Sequence, residues 1–156
     1  PLCRYPAHCR RYRRPRNADL TAQPLPMSVL RWRSEFGIGI EIIDHDHQEL
    51  IGRIKDRQLE LEGCEDPGKL VRVLGEIYAE IADHFALEER LMEQMRYAAY
   101  ADHKEDHETL LDELREIMVE VEDNGVLDHA ELTDDLDRWF SDHFQTHDAK
   151  LHEAGE

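Results

Sequence analysis

His84 and Glu88 stand four residues apart, and so do His103 and His107. On a helix, residues four apart lie about 40° from one another on one face, one turn up. Imidazole and carboxylate at that spacing are donors from which helices build transition-metal sites. Both pairs fall on faces that are otherwise apolar. Leu70, Val73, Ile77, Ile81, Leu91 and Met95 accompany the first; Leu110, Leu114, Ile117 and Val121 accompany the second. Steps of three and four mark the stripe that a helix buries against its neighbours. A buried imidazole or carboxylate is costly unless it is paired or coordinates a metal. Two such pairs on two stripes predict a metal centre inside a bundle.

The elements that must position these residues follow from capping signals and period. A first helix is expected over 44–61, with Ile43, His47, Leu50, Ile51, Ile54, Gln58 and Leu61 on one face and Asp44 capping its start. Gly63 to Asp66 breaks it, and Asp66-Pro67 reads as a cap with proline at the first position of a second helix reaching about Met95. A loop with Tyr97 and Tyr100 leads to a third helix, which ends at Asn124-Gly125. Asp128 and Glu131 have capping-box spacing and open a fourth, whose inner face is Leu132, Leu136, Trp139, Phe140 and His143. Four amphipathic helices with short loops predict an all-α, up-down-up-down antiparallel four-helix bundle. An N-terminal lead-in arm over 28–42 precedes it, with Trp32 expected as a plug over the core. Every helix then brings an imidazole inward: His47, His84, the pair His103 and His107, and His143. Beyond the last, His147 shares a face with His143 on a regular helix, whereas Asp148 lies roughly 140° away.

At 156 residues the chain has room for one well-formed domain. Its net charge of −17 is unevenly placed, because residues 1–26 hold six arginines and one aspartate, net +5, which leaves −22 on the rest. So acidic a body argues against nucleic acid or an anionic membrane as the main partner. The Arg- and Pro-rich residues 1–26 have no apolar period and read as a disordered extension, set apart from a domain over 27–156. Cys3, Cys9 and Cys64 form neither a disulfide framework nor a CxxC knuckle, which suits a reduced, cytoplasmic protein. No run of about 18 apolar residues suggests a membrane span, and no apolar segment after the basic start suggests a secretory signal.

These residues carry a resemblance to the hemerythrin family, at the length of its bacterial single-domain members. The segment Ile43-Asp44-His45-Asp46-His47-Gln48-Glu49-Leu50 resembles the family motif I-D-x-Q-H-x-x-L. His84-Phe85-Ala86-Leu87-Glu88-Glu89-Arg90-Leu91-Met92 resembles H-F-x-x-E-E-x-x-M, and His103 with His107 matches the following H-x-x-x-H, with Tyr97 upstream. Trp139 to Asp148 resembles W-x-x-x-H-x-x-x-x-D. All seven ligand positions are filled, in order.

The resemblance implies two non-haem irons joined by an oxo or hydroxo bridge. By position, His103, His107 and His143 would hold one iron, His47 and His84 the other, and Glu88 and Asp148 would bridge them. One position on the second iron would stay open for dioxygen. Leu50, Phe85, Trp139, Phe140 and Phe144 match positions lining the family's oxygen pocket; plain core packing is the alternative for all five. The implied function is reversible dioxygen binding for storage, delivery or buffering, without enzymatic turnover. Oxygen or redox sensing, and reduction of nitric oxide or peroxide with an electron donor, are the alternatives. A zinc or purely structural site is a third. Tyr97 and Glu89 are the residues to consider as acid or base in an enzyme. Asp46 departs from the family glutamine, and the additional His45 is expected at the surface. Asp148 reaches the site only if the helix widens locally into a π-like turn; otherwise His147 competes with it. His8, His129 and His152 are expected to be solvated.

Overall fold

The structure, a computed structural model, describes residues 28–154. The segment 1–26, with His8, Cys3 and Cys9, lies outside them. Four long helices follow the lead-in arm: α1 (Glu41–Leu59), α2 (Pro67–Met95), α3 (Tyr100–Asn124) and α4 (His129–His143). A five-residue π turn, Phe144–Asp148, continues α4 into the short α5 (Ala149–Glu153). The described residues contain no strand, and no helix among them is long and apolar enough to cross a membrane.

Cross-helix contacts give the directions. His47 faces Glu88 and Arg53 faces Glu80, so numbers rise along α1 as they fall along α2. Lys104 with Glu89 and Arg115 with Tyr78 set α3 antiparallel to α2. Asp106 with His143 and Glu113 with Trp139 do the same for α4 against α3. The result is the expected up-down-up-down bundle. Its core runs through Leu50, Ile54, Val73, Ile77, Leu114 and Leu136, each at most 1% exposed.

The caps that start α2 and α4 and end α3 are those the sequence calls for. Asp66 accepts from the Gly68 amide with Pro67 at the first position of α2, and Asp128 accepts from the Glu131 amide. Gly125 ends α3 at φ 70°, a left-handed conformation that favours glycine.

Three expectations need correction, all at element ends. The first helix starts at Glu41, and Asp44 does not cap it. The Asp44 carboxylate instead reaches back to accept from the amides of Ile38 and Gly39, pinning the arm. Leu91 and Met95 are exposed (42% and 36%), while Phe85 and Met92 turn inward. Over these last turns of α2 the buried position is Met92, fully enclosed, so the inner face there is rotated from the stripe that continues from His84 and Glu88. His129 and His152 are half-buried rather than solvated, and burial lowers both imidazole pKa values. Trp32 is half-buried as well, edge-on to the fully buried Phe36 at 5.7 Å.

The arm is fastened by a buried glutamine. Leu30, fully buried, donates its amide to Gln58 Oε1 at 2.7 Å. Gln58 Nε2 donates to Thr133 Oγ1 at 3.0 Å, and that hydroxyl donates on to the His129 carbonyl. One side chain of α1 thereby ties the arm to α4 at the end of the bundle away from the seven clustered donors. Leaving a buried donor unsatisfied costs about 1–3 kcal/mol. Gln58→Ala is expected to lower the unfolding free energy by about that amount and to speed hydrogen exchange at the Leu30 amide. Denaturant titration and amide exchange check this; unchanged stability and protection would show the chain of bonds to be idle.

Candidate metal centre

All seven expected ligands converge between the four helices, in two groups that share Glu88. Glu88, His103, His107 and His143 form one; His47, His84, Glu88 and Asp148 form the other, with donor atoms within 4.8 Å of one another in each. Both carboxylates span the groups. Asp148 directs Oδ2 to His47 Nε2 at 3.1 Å and Oδ1 to His103 and His143 Nε2, each at 3.1 Å. Glu88 directs Oε1 to His84 Nε2 at 3.1 Å and Oε2 to His107 Nε2 at 3.2 Å. Each carboxylate thus offers one oxygen to each group.

Asp148 takes this position because the helix widens. The Ala149 amide bonds to the Phe144 carbonyl, five residues back, and the extra residue turns Asp148 to the face of His143. Asp148 is fully buried. His147 is left at the margin, its side chain 26% exposed and its ring stacked on His143 at 5.5 Å between centroids.

Hydrogen bonds behind the site fix two tautomers. Asp106 Oδ2 accepts from His143 Nδ1 at 2.6 Å, and Glu89 Oε1 accepts from His107 Nδ1 at 3.2 Å. A neutral imidazole with its proton on Nδ1 keeps a lone pair on Nε2. The Nε2 atoms of His107 and His143 nevertheless face each other at 3.2 Å, and those of His103 and His143 at 3.4 Å. Between neutral rings such lone pairs repel; a proton held between them, or a metal cation, reverses the sign. Donors adjacent around a six-coordinate ion bound at about 2.1 Å stand about 3.0 Å apart, close to these separations. The carboxylate atoms Glu88 Oε2, Asp148 Oδ1 and Asp148 Oδ2, with both ring nitrogens of His47, are buried without a hydrogen bond. Buried polar atoms are rarely left so. The donor set therefore fits a pair of metal ions.

Electrostatics in the metal-free chain point the same way. Burial works to lower the His47 pKa, but the carboxylates of Asp148 and Glu88 beside it prevail and push it up to about 9. His143 also rises well above its ordinary value: burial opposes the rise, while the Asp148 charge and the Asp106 bond drive it. Burial works to raise Glu88, yet the surrounding imidazoles, His84 first, hold it well below the usual carboxylate range. Asp148 is likewise lowered by His143 and His103 against burial and the Glu88 charge.

Aromatic rings wall the centre. Phe85 stacks on His107 at 3.8 Å and Phe144 on His47 at 3.7 Å, with Phe140 against Phe144 at 5.2 Å. Leu50 is fully buried one turn after His47. Trp139 is 5% exposed and donates its indole N–H to Glu113, which turns its polar edge towards α3. His45 is exposed, as expected, and Asp46 beside the first ligand is exposed as well. Glu89 is engaged by His107 and by Lys104 Nζ at 2.7 Å, and the Tyr97 ring lies edge-on to His103 with centroids 6.5 Å apart. Glu89 is thus already paired on both oxygens. Asp106 went unremarked in the sequence, where nothing but its place one residue before His107 marks it.

Comparison with known proteins agrees with this geometry. Residues 38–154 match the family described as the Hemerythrin HHE cation binding domain. The chain is similar to a bacteriohemerythrin of Pseudomonas aeruginosa, 32% identical over 133 residues that cover 79% of each chain. A bacteriohemerythrin of Stenotrophomonas maltophilia is 29% identical over 126 residues, 78% of each chain. A myohemerythrin of Sipunculus nudus is 27% identical over 127 residues, 81% of this chain and 93% of that one. No solved structure matches.

The shifts above set a pH dependence. An imidazole pKa raised from 6.5 to about 9, as at His47, stabilises the metal-free fold fully below pH 6.5, and that contribution is lost as pH rises to about 9. The depressed carboxyls of Glu88 and Asp148 contribute above their ordinary values of 4.5 and 3.8 and lose the contribution as pH falls below them. Chelator-treated protein is therefore expected to be most stable at about pH 5–6.5 and to weaken towards pH 9. Metal loading should strengthen across that same interval, because imidazoles must shed their protons to coordinate. Denaturant midpoints with chelator and with iron(II), compared across pH, test this; parallel curves would refute it.

Proposed function

The chain belongs to the hemerythrin family, and from that premise we propose that it binds dioxygen reversibly at a pair of non-haem irons, as a store, carrier or buffer. In this reading His103, His107 and His143 hold one iron, His47 and His84 hold the other, and Glu88 and Asp148 lend one oxygen to each. The carrying observation is the convergence of imidazole Nε2 atoms at 3.2–3.4 Å beside two buried carboxylates. Irons held there would supply the electrons for reversible dioxygen binding and a position for it. What the protein contributes is orientation and dryness. Five neutral imidazoles and two carboxylates give little stabilisation to highly oxidised iron, which favours carriage over cleavage of the O–O bond.

The two positions differ in number of donors and in access. The three-histidine group has the larger donor set, and His103, His107, His143 and Asp148 are each at most 1% exposed. His84 and Glu88 keep 13% and 11% exposure, so the two-histidine position is the one that borders solvent and has a donor fewer. Dioxygen would enter beside His84. Phe85, Phe140 and Phe144, with Leu50 and Trp139, would keep bulk water from the bound gas and slow irreversible oxidation.

The test is an anaerobic titration of iron-loaded, reduced protein with dioxygen, followed optically and then reversed by sparging. Two irons per chain and a visible band that appears and disappears are expected. Irreversible oxidation, or turnover with an electron donor, would replace carriage with a redox enzyme. Asp148→Ala should lose iron or the band; an Asp148→Ala protein with two irons and an unaltered spectrum would remove Asp148 from the ligand set.

A further inference from the structure

Two of the five imidazoles have a carboxylate behind them, and both belong to the three-histidine group: Glu89 behind His107 and Asp106 behind His143. Among the described residues no carboxylate other than Glu88 and Asp148 reaches His47 or His84. The two outer carboxylates are also unequal. Glu89 shares its charge with Lys104, whose ammonium lies 2.7 Å from its second oxygen. Among the described residues Asp106 has no lysine or arginine partner. Its second oxygen faces only His147 Nε2, at 3.8 Å, beyond hydrogen-bond reach. The bond from His143 is the shorter of the two as well, 2.6 Å against 3.2 Å.

A carboxylate that accepts the Nδ1 proton of a ligating histidine raises the basicity of the other nitrogen and fixes the ring. A more basic donor favours a ferric over a ferrous ion, because the greater cation charge gains more from it. We propose that Asp106 is a positioning residue that acts through His143 to make the two iron positions unequal in potential, the three-histidine iron being the harder to reduce. This rests on the di-iron reading above. One electron from a reductant such as dithionite then converts one ferric ion to ferrous at the two-histidine position first, with the Nδ1 proton remaining on His143. A second electron follows at lower potential. The centre thereby exchanges electrons singly, although its cargo takes two.

Asp106→Asn isolates the charge, because the asparagine carbonyl still accepts from Nδ1 but is neutral. Loss of an outer partner weakens metal binding about 10–100-fold. A tenfold loss borne by the ferric ion alone raises that iron's potential by about 59 mV. Potentiometric titration of the iron-loaded full chain should show two one-electron waves, with D106N raising the lower wave and leaving the upper. Glu89→Gln, whose charge Lys104 already offsets, should move it less. Equal shifts in both waves, or no larger shift in D106N than in E89Q, would overturn the proposal. Should D106N release one iron, Asp106→Glu decides: recovery of both irons and of the low potential supports the proposal, and failure to recover them overturns it. A wild-type chain that never takes up two irons would overturn the di-iron reading and this inference with it. A wild type that loads normally while D106N keeps its potentials would overturn the inference alone.

Discussion

The bundle is arranged around a crowd of buried donors that must share positive charge, whether as protons or as metal ions. Nε2 atoms of three histidines, two of them with Nδ1 bonded to a carboxylate on the far side of the ring, point into one small volume beside two carboxylates, three of whose oxygens lack a hydrogen-bond partner. Such a cluster has no business in an apolar interior unless a cation holds it together. The rest of the molecule can be read as the frame that enforces it. The stacked Phe85 and Phe144 hold rings edge to edge, and the helix pairs fix the depth at which each donor enters.

The fully apolar layers of Leu, Ile and Val lie below the histidines, and Gln58 locks the arm across them. At the metal end α2 ends on Arg96 in a left-handed conformation. Apolar packing is close at this end too, where Leu50, Phe85, Phe140 and Phe144 are each at most 1% exposed. Metal binding and folding are coupled, because ions that bind only the native cluster stabilise the fold that assembles it.

Much of this was legible in the sequence because helical period is a strong signal. The stripes, the caps at Asp66 and Asp128, and the inward placement of His47, His84, His103 and His107 follow from spacing alone. Asp148 needed the family resemblance, since a regular helix would have presented His147. The misses share a physical cause. Leu91 and Met95 continue the stripe of His84 and Glu88, but over the last turns of α2 it is Met92 that is buried, a rotation of the inner face that period alone does not reveal. Asp106 meets His143 across 37 residues of sequence, through the relative register of two helices, which no local pattern encodes. Asp44 carries the signature of a cap yet serves the loop behind it, because capping chemistry and loop anchoring use the same carboxylate geometry.

The π turn at Phe144–Asp148 has one more implication, for how this helix tolerates insertion and deletion. An added residue in a regular helix rotates everything after it by about 100°. Here the surplus is absorbed within five residues, so Asp148 meets the site and Leu151, 1% exposed, returns to the core. A shorter chain with a regular α-turn and aspartate four after the histidine would present the same oxygen atoms to the same place. Length variation at this point is thus nearly silent in three dimensions, and an alignment that insists on constant spacing would pair the carboxylate of one such chain with the histidine of the other.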